Sequence, residues 1–61
     1  MQVTFAAARV NAGLTQGEAA RNLNITQATL SSWERGITDP TIKQIRAMCA
    51  LYGCDITDIR A

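Results

Sequence analysis

Thr15-Gln16-Gly17-Glu18-Ala19-Ala20-Arg21-Asn22-Leu23-Asn24-Ile25-Thr26-Gln27-Ala28-Thr29-Leu30-Ser31-Ser32-Trp33-Glu34-Arg35 is the stretch that decides the fold. Thr15 stands before a helical pattern with Glu18 three residues on, the spacing of a capping box. Ala19, Ala20 and Leu23 then share one face, and the two alanines are small enough to let a neighbouring helix come close. Asn24 follows where the chain must turn, and Asn is the non-glycine residue that best tolerates a left-handed backbone. Ile25 can enter the core and Thr26 caps the next helix, which ends near Arg35 with Gly36 beyond it. Two short capped helices around a tight turn are the expected result.

At about 100° per residue, Leu30 and Trp33 lie together on one side of the second of these helices. Gln27, Ala28, Ser31, Ser32 and Arg35 cover the opposite arc, and Thr29 and Glu34 fall on its boundaries. The outward side thus offers small, uncharged hydrogen-bonding groups instead of long charges. Gln can pair with an adenine edge, Ser can donate or accept, and an Ala methyl can meet a thymine methyl. A helix of this kind suits the major groove. The start of the preceding helix, at Gln16, has free N–H groups and a positive dipole end that favour a phosphate. Arg35, Thr38 and Lys43 are further phosphate candidates, each weighed against being a merely solvated side chain. Arg21 and Arg60 are read as solvated charges.

Outward from this stretch, a first helix is expected after Thr4 and runs to about Ala12, with Phe5, Ala8 and Ala12 at helical spacing and Gly13 as its stop. Thr41 and Gln44 repeat the capping-box spacing, so a fourth helix spans Thr41 to about Tyr52. Asp39 as cap with Pro40 first in the helix is the alternative start. Ile42, Ile45, Met48, Cys49 and Tyr52 form its apolar side and Gly53 ends it. Asp55 caps a last short helix with Ile56 and Ile59 facing inward. No strand pattern is evident, so the expectation is an all-α, compact five-helix single domain over residues 1–61.

Sixty-one residues, nearly half of them apolar, suffice for one small core. The net charge of +1 argues neither for nor against nucleic acid. There is no histidine, and Cys49 and Cys54 fit no paired metal-ligand spacing, so neither a metal nor a cofactor is expected. The two cysteines read as small hydrophobes. No run approaches the roughly 20 apolar residues of a membrane span. No basic segment precedes an apolar stretch and cleavage site at the N-terminus, so a soluble cytoplasmic protein is expected. An enzyme is the weakest reading: no nucleophile–base pair or glycine-rich phosphate loop stands out.

Gly13-Leu14-Thr15-Gln16, Ala20, Leu23, Ile25, Leu30 and Trp33-Glu34-Arg35-Gly36, followed by Pro40 and Ile42, resemble the helix-turn-helix family of lambdoid phage repressors and Cro. The similarity runs from about Phe5 to Ile59. It implies a lambda-repressor-like domain of five helices, the second and third forming the helix-turn-helix and the third entering the major groove. Gln27, Ala28 and Ser32 become leading base-reading positions, with Thr29 and Ser31 nearby, and Gln16 a phosphate contact. It further implies an ion pair between Arg9 and Glu34. Asn24 replaces the frequent glycine of the turn, Ser32 stands where many relatives carry a longer side chain, and Cys49 and Leu51 depart from the usual small residues.

The function implied is a sequence-specific DNA-binding transcriptional regulator, a repressor, with double-stranded DNA as partner. Relatives bind as dimers, and a homodimer formed on DNA or a DNA-binding piece of a longer protein both fit a chain that stops soon after the last helix. The competing reading is an interaction module on the same scaffold, an antitoxin or coactivator. Such a module would expose apolar anchors on the third helix, where this chain has Gln and Ser.

Overall fold

Four threonines decide where the helices begin. In the computed structural model, which describes residues 3–60 with Arg60 by its backbone alone, each threonine Oγ1 accepts the N–H three residues ahead. Thr4 takes Ala7 at 3.1 Å, Thr15 takes Glu18 at 3.1 Å, Thr26 takes Thr29 at 3.1 Å and Thr41 takes Gln44 at 3.2 Å. An oxygen placed there satisfies one of the N–H groups that a helix start leaves without an intrahelical partner. The helices that follow are α1 (Phe5–Asn11), α2 (Gln16–Leu23), α3 (Gln27–Glu34) and α4 (Ile42–Tyr52). Thr41, not Asp39, is the cap of α4.

All four helices stop the same way. A residue with positive φ follows each, Gly13, Asn24, Gly36 and Gly53 in turn. The next residue's N–H then returns to a carbonyl five positions back: Leu14 to Arg9, Ile25 to Ala20, Ile37 to Ser32 and Cys54 to Cys49. That bond is the mark of the left-handed C-terminal cap. Asn24, at φ 60° and ψ 41°, makes the sharp α2–α3 turn without glycine.

The core lies where the four helices meet. Phe5 and Ala8 of α1, Ala19 and Ala20 of α2, Leu30 and Trp33 of α3, and Met48, Cys49 and Tyr52 of α4 are buried. Leu30 and Met48 are the largest side chains wholly removed from solvent. Burial of one such side chain contributes about 1.5–3 kcal/mol. Ala19 and Ala20 are buried in this core, where a larger side chain would overpack. Leu14, Leu23, Ile25, Ile45, Leu51, Cys54 and Ile59 are half-buried around the core.

Three expectations need correction. The fifth helix is a single 3-10 turn, Ile56–Asp58, capped by Asp55. The described residues also form a short parallel strand pair, β1 (Val3–Thr4) with β2 (Ile59–Arg60), in which Val3 faces Ile59 and Thr4 faces Arg60. Ala12, Ile42 and Ile56, placed on buried faces by spacing, are exposed, Ile42 by 60%. Ala12 lies beyond the last turn of α1, Ile42 at the first position of α4, and Ile56 in the 3-10 turn. The first or last residue of an element has less of its own helix to press it against the core. Arg21 is exposed; the Arg60 side chain lies outside what the structure describes.

Candidate nucleic-acid interface

The start of α2 is fixed by a complete capping box. Thr15 Oγ1 accepts the Glu18 N–H at 3.1 Å, and Glu18 Oε1 accepts the Thr15 N–H at 3.0 Å. These bonds hold the Glu18 carboxyl below its ordinary range. Two first-turn N–H groups, those of Gln16 and Gly17, remain for an outside acceptor. The turn at Asn24 then swings α3 across α2 with Leu30 and Trp33 inward. Gln27 and Ala28, at the first two positions of α3, are exposed.

Four polar side chains from three helices meet beside this face. Arg9 Nε donates to Glu34 Oε2 at 2.7 Å and Arg9 Nη2 to Glu34 Oε1 at 3.3 Å, while Arg9 Nη1 donates to the Leu14 carbonyl at 2.8 Å. Only 14% of the Arg9 side chain and 5% of the Glu34 side chain is exposed. The hydrogen bond from Arg9 to Glu34 raises the Arg9 pKa, against the lowering effect of burial. Gln16 Nε2 donates to the same Glu34 Oε1 at 2.9 Å, and Gln27 Nε2 donates to Gln16 Oε1 at 3.4 Å. A buried pair can lose in desolvation what it gains in attraction. Here, however, both carboxylate oxygens have donors, so the pair orients α1, α2 and α3 without leaving an unmatched charge.

The remaining candidates are placed as follows. Ser31 and Ser32 are half-buried, and the Ser32 carbonyl accepts from Ile37 at 3.0 Å. Thr29 is half-buried and its hydroxyl pairs with that of Thr26 at 2.8 Å. Arg35, Thr38 and Lys43 are exposed at the end of α3, in the following loop and in the first turn of α4. Among the described residues none of these three side chains is held by a hydrogen bond or ion pair. So the structure joins Arg9, Gln16, Gln27 and Glu34, and leaves Arg35, Thr38 and Lys43 separate. An open groove between α2 and α3 runs past Gly17, Arg21 and Gln27, where a Cβ on Gly17 would lie 3.6 Å from Gln27 Oε1. Sequence spacing did not reveal that Gln16 links Glu34 to Gln27, because those bonds span 18 and 11 positions.

The Cys49 thiol is buried, and burial first, then its contact with Cys54, pushes its pKa up to about 11. A thiol held neutral is a poor nucleophile. Among the described residues no cluster of three His, Cys, Asp or Glu side chains could hold a metal. No helix there is long and apolar enough to cross a membrane.

Comparison with protein families matches the helix-turn-helix family over residues 5–59. Comparisons with curated proteins and with solved structures returned no match. The matched span contains both capped helices, the Asn24 turn and all four residues of the polar network. The chain belongs to the helix-turn-helix family of Cro/C1 type, a family of DNA-binding regulatory domains.

Proposed function

We propose that this domain is a sequence-specific transcriptional repressor, lambda-repressor-like, that lays α3 in the major groove of double-stranded DNA and acts in the cytoplasm. The observation that carries this reading is the division of α3 into a buried Leu30–Trp33 side and an exposed edge at Gln27 and Ala28. Gln27 is the principal base reader, since its bond to Gln16 leaves one N–H and Oε1 for a base. That donor–acceptor pair complements N7 and the N6 amino group of adenine. Ala28 meets an adjacent thymine methyl, and Ser31 and Ser32 add shorter-range contacts from deeper on the same side. Gln16, at the start of α2, takes a phosphate through its backbone N–H and its second side-chain N–H. Arg35, Thr38 and Lys43 contact phosphates on either side.

One helix reads few bases, so a homodimer on two half-sites about one DNA turn apart is the working form. Repression by occupancy requires no catalytic group. An antitoxin or coactivator role draws no support from α3, because the large exposed apolar residues Val10, Ile37, Ile42 and Ile56 all lie outside that helix.

Selection of binders from a random duplex library tests the reading. The expected result is a palindromic motif whose affinity falls with salt. Only Arg35 and Lys43 among the proposed contacts carry charge, so the log–log slope should be about −1.8 per protomer. Recovery of no motif, or affinity independent of salt, would overturn it.

A further inference from the structure

We infer that Glu34, whose side chain is only 5% exposed, determines which purine Gln27 reads. The inference rests on the DNA-reading role proposed above and follows from the polarity of the hydrogen bonds. An ionised carboxylate can only accept. Oε2 of Glu34 is taken by Arg9 Nε at 2.7 Å, and Oε1 by Arg9 Nη2 at 3.3 Å and Gln16 Nε2 at 2.9 Å. Gln16 must therefore turn its amide nitrogen to Glu34. Its oxygen then points the other way, where Gln27 Nε2 meets it at 3.4 Å. Since that oxygen can only accept, Gln27 in turn must present nitrogen to Gln16.

Each proton in this chain is fixed by the one before it. Gln16 keeps a second N–H free, enough for a phosphate. Gln27 keeps one N–H and its oxygen free, the complement of adenine. Guanine offers two acceptors, O6 and N7, at the same edge, and would set O6 against the Gln27 oxygen. Reversing the polarity at Glu34 should therefore reverse the preference at the base.

Glu34→Gln does this with little change of shape. Arg9 Nε, at 2.7 Å, takes the new side chain's one oxygen in preference to Nη2, at 3.3 Å, which loses its longer bond, and the new amide nitrogen faces Gln16. Gln16 must flip to offer oxygen, its nitrogen then faces Gln27, and Gln27 flips to accept. Two N–H groups of Gln27 are left for the base, matching guanine O6 and N7.

The experiment measures duplex binding of the full chain, with adenine or guanine at the base pair whose preference disappears in Gln27→Ala. Wild type should prefer adenine by about 5- to 150-fold, the range of a good bidentate contact. In Glu34→Gln that ratio should fall by about tenfold or more, toward guanine, while preferences at other base pairs stay within about twofold. In a Gln27→Ala background the same substitution should leave the ratio unchanged. A purely structural role would weaken all duplexes together and leave every ratio as it was, which would overturn the inference. Should circular dichroism show Glu34→Gln to be unfolded, Gln16→Met decides. It spares the Arg9–Glu34 pair and frees Gln27 to flip, so the adenine preference should collapse toward parity; a preserved preference overturns the inference. Loss of the inference alone leaves a wild-type adenine motif intact, whereas a wild type that selects no motif removes the DNA-reading role and this inference with it.

Discussion

Helices α2 and α4 begin on one device and end on another that they also share. Thr15 and Thr41 cap them, answered three residues on by Glu18 and Gln44 in full capping boxes. Left-handed residues, Asn24 and Gly53, close them. Their first helical residues then diverge. Gln16 is half-buried and bonded to Glu34 and Gln27, whereas Ile42 is 60% exposed and Lys43 beside it is free of side-chain partners among the described residues. Capping is a local property and gives two equivalent helix starts. What each start becomes depends on what is packed across from it: the first residue of α2 is bonded to the carboxylate at the end of α3, whereas among the described residues the side-chain hydrogen bonds at the start of α4 are those of its own cap.

The sharpest way to break this contrast is to remove the carboxylate. Glu34→Ala leaves Arg9 largely buried with no anion, and stability measured by urea unfolding should drop by about 3 kcal/mol or more. Ile42→Ala, at the corresponding start of α4, should change it by no more than about 0.5 kcal/mol. Similar losses at both positions would mean that the two helix starts are not used differently. The caps themselves should behave alike: Thr15→Ala and Thr41→Ala should each cost about 1 kcal/mol. A clear inequality between them would show that one cap does more than complete its own helix.

The smallest effect is a pH dependence confined to one helix. Glu18 is a carboxylate whose pKa is lowered by its bonds to Thr15, and Gln44 is an amide that does not titrate. A lowered folded-state pKa gives a contribution that is complete above the ordinary value of 4.5 and is lost as pH falls through the folded value. Amide exchange at the start of α2 should therefore quicken relative to that of α4 as pH drops below the ordinary carboxylate range, after correction for the intrinsic exchange rate. Equal behaviour of the two helices would remove the assigned role of Glu18.

The comparison also explains what could be read from the sequence. Caps, stops and the Leu30–Trp33 face depend on residues within a few positions of each other, so Thr15 with Glu18 or Asn24 with Thr26 already encode the helix-turn-helix. The parallel pairing of Val3–Thr4 with Ile59–Arg60 joins opposite ends of the chain through two residues each, too short for any alternation to register. Asp55 signals a helix start faithfully, but the turn it caps lasts only three residues. Ile42 fits the apolar spacing of α4 and yet stands at its first position, 60% exposed. Arg9 and Glu34 came from family likeness alone, and the Gln16 link between Glu34 and Gln27 from neither likeness nor spacing. Those bonds exist only once three helices are packed.

Titration of the isotopically labelled domain with its selected duplex, followed by amide shifts, tests the central claim most directly. If α3 lies in the major groove with α2 seated on a phosphate, the largest changes fall at Gln16, Gly17 and Gln27 to Ser32, while the Tyr52–Cys54 end of α4 stays still. The largest changes at that opposite end, with Gln16 and Gln27 unmoved, would contradict it.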